Sequence, residues 1–275
     1  PGTDERHEAD PAALEEARRQ AREADLALVF VGLPASMENE GADRQHLDLP
    51  DAHAALVAAV AGVQPDVVVV VVAGAPVRLP FVERTGALVL AGLGGQAGGA
   101  GIADVLLGRA EPGGRLATTW PRRLEDTPSF LSFPGDPHEV RYGESVFVGY
   151  RHYDTARVDP LFPFGHGLSY ARFDWDELRL DRPALRDDET LGVSLRVRNV
   201  GERTGSDVVQ LYVHDEASRV RRPEQELRAF AKVSLAPGEE TRVRFSLQRR
   251  AFAFWDAQVH AWATEAGGFE IRLGR

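Results

Sequence analysis

The chain has 275 residues, of which 43% are hydrophobic, and this length is sufficient for two globular domains of ordinary size. Its formal net charge of -10 argues against a nucleic-acid partner, because no basic stripe is present to neutralise phosphates. The chain contains no cysteine, and its eight histidines lack the H-x-x-x-H pairing of zinc sites. We therefore expect no metal and no cofactor. No apolar run reaches the ~18 residues of a membrane span, so we expect no membrane partner.

The first third of the chain alternates helical patterns with short apolar runs. Asp10 followed by Pro11 predicts the start of a helix that ends near Ala24, and Pro50-Asp51 opens a second helix. A third helix follows the glycine-rich turn after the last apolar run. Strands are predicted over 26–31, 66–74 and 87–92. The unbroken valine run within 66–74 is typical of a parallel strand covered on both faces, so the pattern βαβαβα predicts an open α/β sheet with helical crossovers.

The pattern changes twice in the rest of the chain. Prolines and aromatic residues crowd together between about 121 and 167, which indicates a structured linker that lies against its neighbours. From about Phe173 the apolar period becomes two, as in the alternation of Leu191, Val193 and Leu195 with polar residues. Several short alternating segments separated by turns predict an antiparallel β-sandwich. We therefore predict an α/β domain, a structured linker and a β-sandwich, over 1–122, 123–172 and 173–275.

Common catalytic motifs are absent. The glycine-rich segment 92–101 lacks the Lys-Ser/Thr of a phosphate loop, and Ala97 stands where G-x-G-x-x-G needs its third glycine, so a tight turn is the better interpretation. No G-x-S-x-G elbow supports a serine hydrolase. His166 lies between glycines and aromatic residues, and a structural histidine is favoured over a catalytic one.

The loop after the first predicted strand is unusually charged, because it holds Glu38, Glu40, Asp43 and Arg44. Such a loop leaves the carboxyl end of a strand, where open α/β sheets collect their ligand-binding groups. We expect Gly41 to adopt a positive φ, and we expect Asp43 and Arg44 to brace the loop by folding back. From the residues alone, a functional carboxylate and a solvated surface loop remain equally open.

This loop resembles a motif of a known enzyme family. GLPASMENEGADRQHLDLP, residues 32–50, is similar to the acid/base loop of glycoside hydrolase family 3, the β-glucosidase family, whose pattern is near G-L-x-x-x-x-E-x-E-G-x-D-R-x-x-L-x-L-P. Further similar stretches follow in the family's order, at 95–121, 140–154, 160–170, 208–240 and 251–256. The resemblance extends from about residue 20 over the rest of the chain.

The resemblance implies an enzyme in three parts. An N-terminal (β/α)₈ barrel supplies an aspartate nucleophile, an α/β sandwich domain supplies the acid/base glutamate, and a fibronectin type III-like β-sandwich closes the chain. This sequence resembles only the second and third parts, and the second is expected to be incomplete at its N-terminus. The chain begins at Pro1 rather than at methionine, so we expect a mature product or a fragment that lacks the barrel.

The resemblance also assigns residues. Glu40 falls on the general acid/base position, while Met37 and Glu38 fall on the rim of the substrate site. Met37 and Ala42 replace residues that are commonly aromatic in the family. The residues that would support the loop are Gly41, Asp43 and Arg44.

The implied function is that of the C-terminal portion of a retaining, exo-acting β-glycosidase that removes terminal non-reducing β-linked sugars. Its substrate would be a β-glucoside or a related oligosaccharide or aryl glycoside, and its partner would be the barrel of the same enzyme. The sugar stays open between glucose, xylose and N-acetylglucosamine, because the barrel decides it in the family. The alternative function is a non-catalytic carbohydrate-binding or interaction module derived from such an enzyme.

Overall fold

The computed structural model describes residues 9–186 and 188–274, and the chain divides into two compact units. The first unit comprises Pro1–Arg109 and Trp120–Thr127, and the second comprises Ala110–Thr119 and Pro128–Arg275. The predicted domain limits at residues 122 and 172 stay a prediction.

The first unit is an open parallel sheet with helices. Its elements are α1 (Pro11–Glu23), β1 (Ala27–Gly32), α2 (Asp51–Ala61), β2 (Val67–Val72), β3 (Ala87–Leu90) and α3 (Gly98–Leu106). The strands pair in parallel in the order β1-β2-β3. Helix α1 begins at its predicted position because Asp10 accepts a hydrogen bond from the Ala12 N–H at 2.9 Å and Pro11 occupies the first turn. Within the described ranges, no helix combines the length and the apolar character needed to cross a lipid bilayer.

The crossover from β2 to β3 differs from the predicted pattern. The prediction requires a helical crossover here, but the connection contains only a 3₁₀ turn at Val82–Arg84. Pro76 and Pro80 lie in this short connection, and proline interrupts helical hydrogen bonding. The open α/β sheet is confirmed, and the expected helix between β2 and β3 is wrong.

The two faces of the sheet are covered unequally. In β2, Val69, Val70 and Val71 are at most 1% exposed, so this central strand is buried on both faces as predicted. On β1, by contrast, Leu28 is 47% exposed and Phe30 is 52% exposed. One face of the edge strand β1 therefore presents apolar side chains to solvent within the first unit.

The second unit is built on antiparallel strands, which confirms the predicted β-sandwich. The strands are β4 (Phe173–Leu180), β5 (Thr190–Asn199), β6 (Gly205–Asp215), β7 (Glu226–Leu235), β8 (Glu240–Gln248), β9 (Phe254–Asp256), β10 (Ala261–Ala263) and β11 (Phe269–Gly274). They form sheets in the orders β4-β5-β8 and β11-β6-β7, and β9 and β10 pair as a hairpin. The inward-facing residues of both larger sheets, such as Val193, Leu195 and Leu211, form one core.

The linker is structured, and from Pro128 onward it belongs to the second unit. It contains the short helix α4 (Tyr150–Ala156), whose Tyr150 hydroxyl accepts a hydrogen bond from the Leu227 N–H at 2.7 Å. The Asp154 carboxylate accepts another from the Gln225 amide at 2.9 Å. Gly165 has a φ of 83°, and a Cβ there would lie 2.3 Å from the Gln210 amide nitrogen. Only glycine lets the chain approach β6 this closely.

A buried ion pair attaches segment 110–119 to the β-sandwich. The Arg115 guanidinium lies 3.1 Å from the Asp207 carboxylate, and the two side chains are only 9% and 3% exposed. Asp207 also accepts a hydrogen bond from the Trp175 indole at 3.0 Å. Because the pair is shielded from water, removing one partner leaves an uncompensated charge.

We predict that Asp207→Asn lowers the free energy of unfolding by about 3 kcal/mol, since Arg115 would stay buried without its counter-charge. Urea denaturation of the purified chain measures this loss. The matched control is Asp176→Asn, which breaks the Asp176–Arg196 pair, whose side chains are 52% and 34% exposed. Its loss should be much smaller, and equal losses for the two variants would contradict the prediction.

We also predict that His166 makes stability depend on pH. Burial, and then the nearby Arg115 charge, lower the pKa of His166. The unfolded chain therefore binds the proton more readily, so the contribution of His166 to stability is complete above pH ~6.5 and declines as the pH falls toward the lowered pKa. Urea denaturation at pH 7.5 and 5.5 should show a larger loss for the unmodified chain than for His166→Gln. Identical losses would contradict this.

Candidate functional site

The charged loop leaves the C-terminal end of β1 and leads to α2. It begins with a tight turn, because the Pro34 carbonyl accepts hydrogen bonds from the N–H groups of Met37 at 2.9 Å and Glu38 at 3.0 Å. Met37 is partly buried. The turn brings the loop back toward the segment that follows β2.

Glu38 is hydrogen-bonded to the backbone beyond β2. Its carboxylate oxygen Oε1 accepts a hydrogen bond from the Gly74 N–H at 2.8 Å. A Cβ at Gly74 would lie 2.8 Å from the Leu93 Cδ1 and 3.1 Å from this carboxylate oxygen. The absence of a side chain at Gly74 therefore leaves room for Glu38 to reach the backbone.

Glu40 has a different environment. It is exposed, and no hydrogen bond or ion pair from the described residues reaches its carboxylate. The chain turns around it through an isolated bridge between Asn39 and Ala42 and a 3.0 Å hydrogen bond from the Gly41 N–H to the Asn39 side-chain oxygen. Of two glutamates that lie two positions apart, one is held by the backbone and the other has no partner among the described residues.

Gly41 does not adopt the expected backbone conformation. Its φ lies outside the positive region that other glycines of the chain occupy, so the expectation of a left-handed turn is wrong. The Asn39 side chain closes this turn instead, without requiring a positive φ. A Cβ at Gly41 would meet only the Asn39 Oδ1, at 3.5 Å, so the immediate surroundings do not exclude a side chain.

Arg44 attaches the later part of the loop to the same segment as Glu38. Its Nη2 donates a hydrogen bond to the Pro76 carbonyl at 2.9 Å, while its Nη1 is buried without a partner among the described residues. Asp43 is exposed, and its carbonyl accepts a hydrogen bond from the Gln45 side-chain amide at 3.3 Å. Arg44 therefore folds back, whereas the Asp43 side chain points to no partner in the described part of the chain.

The segment after β2 is itself fixed in place, and sequence reasoning missed it. The Arg78 N–H donates to the Leu47 carbonyl at 2.6 Å, and the Arg78 guanidinium pairs with Asp48. The buried Trp120 indole donates to the Val77 carbonyl at 2.6 Å. Nothing in the sequence spacing singles out these residues, because their role depends on contacts between segments that lie 30 to 43 positions apart.

Two carboxylates of this loop, those of Glu40 and Asp43, have no partner among the described residues. Such a group can donate and accept a proton, which suits general acid/base catalysis. A retaining glycosidase needs a second carboxylate at roughly 5–5.5 Å, and Glu38 is already engaged by the Gly74 N–H. No group of three or more potential metal ligands occurs in the described ranges.

The chain is similar to β-glucosidases over nearly its whole length. It is 47% identical to thermostable beta-glucosidase B of Acetivibrio thermocellus, and the match covers 97% of this chain and 35% of the relative. It is 42% identical to probable beta-glucosidase K of Emericella nidulans, with 95% of this chain and 31% of the relative covered. The chain therefore spans about a third of the length of these curated relatives.

Solved structures of β-glucosidases also match this chain over nearly its whole length. The crystal structure of the GH3 beta-glucosidase of Bifidobacterium adolescentis matches with a TM-score of 0.93 and 39% identity, covering 97% of this chain and 39% of that chain. Beta-glucosidase of Kluyveromyces marxianus in complex with glucose matches with a TM-score of 0.91 and 38% identity, covering 97% and 32%.

Family assignment follows from two matched segments. Residues 207–275 match the fibronectin type III-like domain. Residues 4–170, more than half of the chain, match the C-terminal domain of glycosyl hydrolase family 3. The chain therefore belongs to glycosyl hydrolase family 3.

Proposed function

We propose that this chain is the C-terminal portion of a retaining, exo-acting β-glucosidase and that Glu40 is its general acid/base. The relatives named above are β-glucosidases, which supports the activity. The observation that carries the residue assignment is the contrast between the two glutamates of the loop. Glu38 is bound to the Gly74 N–H, whereas the Glu40 carboxylate is exposed and unpaired among the described residues.

In this mechanism Glu40 acts twice. It first protonates the glycosidic oxygen while a carboxylate of another part of the enzyme attacks the anomeric carbon and forms a glycosyl-enzyme intermediate. Glu40, now ionised, then removes a proton from the water that hydrolyses this intermediate. The substrate is a β-glucoside or a related oligosaccharide or aryl glycoside. The nucleophile is assigned to an N-terminal (β/α)₈ barrel of the same enzyme.

The other residues of the loop would position Glu40. Arg44 supports this role through its hydrogen bond to the Pro76 carbonyl, and Gly41 through the turn that follows Glu40. Asp43 contributes to the proposed loop support through its backbone, because its carbonyl accepts a hydrogen bond from the Gln45 side-chain amide. Met37 and Glu38 form the proposed rim of the substrate site. Proton transfer is faster when the acid is already held in the reactive geometry, because no entropy is then lost in orienting it.

Exposed apolar residues in each unit support a large domain partner. Leu28 and Phe30 are about half exposed in the first unit. In the second unit, Leu131 is 96% exposed and Tyr142 is 82% exposed. Large exposed apolar groups of this kind commonly mark surfaces that another domain covers. The relatives are long enough to supply such a domain, because this chain spans about a third of them.

We predict that the 275-residue chain alone does not hydrolyse a β-glucoside, because the double displacement needs a nucleophile that we assign to another part of the enzyme. The release of nitrophenol from an aryl β-glucoside by the purified chain is the measurement. A longer enzyme in which the family's barrel precedes this chain serves as the positive control. Turnover by the chain alone, with a rate proportional to its concentration, would contradict the prediction.

We further predict that Glu40→Ala in that longer enzyme abolishes cleavage of glycosides with poor leaving groups. Activated aryl glycosides need less protonation, so their cleavage should fall less. Azide should restore turnover of these substrates, since this anion attacks the anomeric carbon of the glycosyl-enzyme intermediate without needing a general base, forms a glycosyl azide and releases the enzyme carboxylate.

The matched control is Glu38→Ala, which removes the nearby carboxylate that is bound to Gly74. This variant should lose activity with all leaving groups alike and should gain nothing from azide, because it disturbs the loop rather than the proton transfer. Azide rescue in Glu38→Ala but not in Glu40→Ala would show that the acid/base role belongs to Glu38.

A further inference from the structure

The hairpin of β9 and β10 in the second unit carries two exposed indoles. Trp255 and Trp262 lie opposite each other in the antiparallel register, so both project from one face of the hairpin. They are 50% and 49% exposed, and their ring centroids lie 5.4 Å apart at an interplanar angle of 68°. The neighbours of Trp255 in β9, Phe254 and Asp256, are buried. Strand β9 therefore buries one face, and the two indoles form an exposed aromatic corner on the other.

A guanidinium group lies against this corner. Arg250 stacks over the Trp262 ring, with its Cζ 3.0 Å from the ring centroid. Arg250 is exposed, and within the described residues no carboxylate pairs with it. Its N–H donors are therefore available beside the aromatic surface.

The hairpin is also held by ionic contacts that do not involve the two indoles. Arg219 pairs with Asp256 and lies 2.9 Å from the Glu265 carboxylate. Asp256 also accepts a hydrogen bond from the Gln258 N–H at 2.9 Å, which fixes the turn between the two strands. A rigid backbone reduces the ordering cost when a ligand binds.

We propose that Trp255, Trp262 and Arg250 bind a pyranose ring of a β-linked glucan chain. The axial C–H bonds of β-glucopyranose carry partial positive charge and complement the negative face of an indole. Its equatorial hydroxyls lie at the edge of the ring, where a guanidinium can donate hydrogen bonds.

The size of the surface favours a sugar over a protein. Two half-exposed indoles offer on the order of 200 Å², since a whole aromatic side chain buries 150–250 Å². A stable protein interface buries about 800 Å² on each partner. The site requires neither Glu40 nor a barrel, so it goes beyond the proposed function and gives the β-sandwich a binding role of its own.

The test is titration of the 275-residue chain with cellopentaose, followed by tryptophan fluorescence and isothermal calorimetry. Saturable binding is expected, together with reduced quenching of tryptophan by acrylamide. Trp255→Ala and Trp262→Ala should each weaken binding about tenfold, the change expected from the loss of one aromatic contact. Arg250→Met should also weaken binding. The matched control is Phe230→Ala, which removes an aromatic residue that is 69% exposed on β7 and should leave binding unchanged.

Circular dichroism and thermal unfolding confirm that the variants remain folded. The proposal is overturned if cellopentaose does not bind, or if Phe230→Ala costs as much as the tryptophan variants. It is also overturned if sedimentation shows a dimer that the tryptophan variants abolish, because the corner would then join two copies of the chain. Hydrolysis plays no part in these measurements, so their outcome is independent of the role assigned to Glu40.

Discussion

The candidate site depends on a backbone constraint at the end of β2. The strand stops at Val72, and the polar groups of the next residues must find partners outside the sheet. The charged loop supplies them, because Glu38 accepts from the Gly74 N–H and Arg44 donates to the Pro76 carbonyl. These two hydrogen bonds fix the loop on either side of Glu40, and neither of them involves the Glu40 side chain. The proposed acid/base role of Glu40 rests on this separation.

In the second unit, too, polar contacts attach segments outside the strands to the β-sheets. The buried Arg115–Asp207 pair holds segment 110–119 on the sandwich, and the Tyr150 hydroxyl holds α4 on β7. Such contacts cost desolvation, but they fix geometry that apolar packing alone would leave variable. From Pro128 onward the linker is therefore an integral part of the second unit rather than a tether.

The sequence predicts most of the fold, because periodicity and helix-start signals are local. The valine run of β2, the alternating β5 and the Asp10-Pro11 helix start all occur as predicted. The crossover after β2 departs from the pattern because its prolines prevent a helix. Gly41 departs because the Asn39 side chain closes the turn without a positive φ. In both cases the side chains of particular residues determine the backbone conformation, and the general pattern takes no account of them.

The candidate site is less predictable than the fold. The resemblance to a known family singles out Glu40 and Glu38 together, but it cannot separate them physically. Their difference arises from Gly74, a residue 36 positions further along the chain than Glu38, whose N–H happens to face one carboxylate. Local patterns carry no information about such a contact. The pair Trp255 and Trp262 was missed for a related reason, since only the hairpin register places both on one face.

The most direct test of the central claim is the dependence of rate on the leaving group in the longer enzyme. The rate of glycosyl transfer from aryl β-glucosides is measured against the pKa of the departing phenol, for the unmodified enzyme and for Glu40→Gln. An acid at Glu40 predicts a shallow dependence in the unmodified enzyme and a steep one in the variant, because the variant cannot protonate the departing oxygen. Equal slopes in the two enzymes would contradict the account.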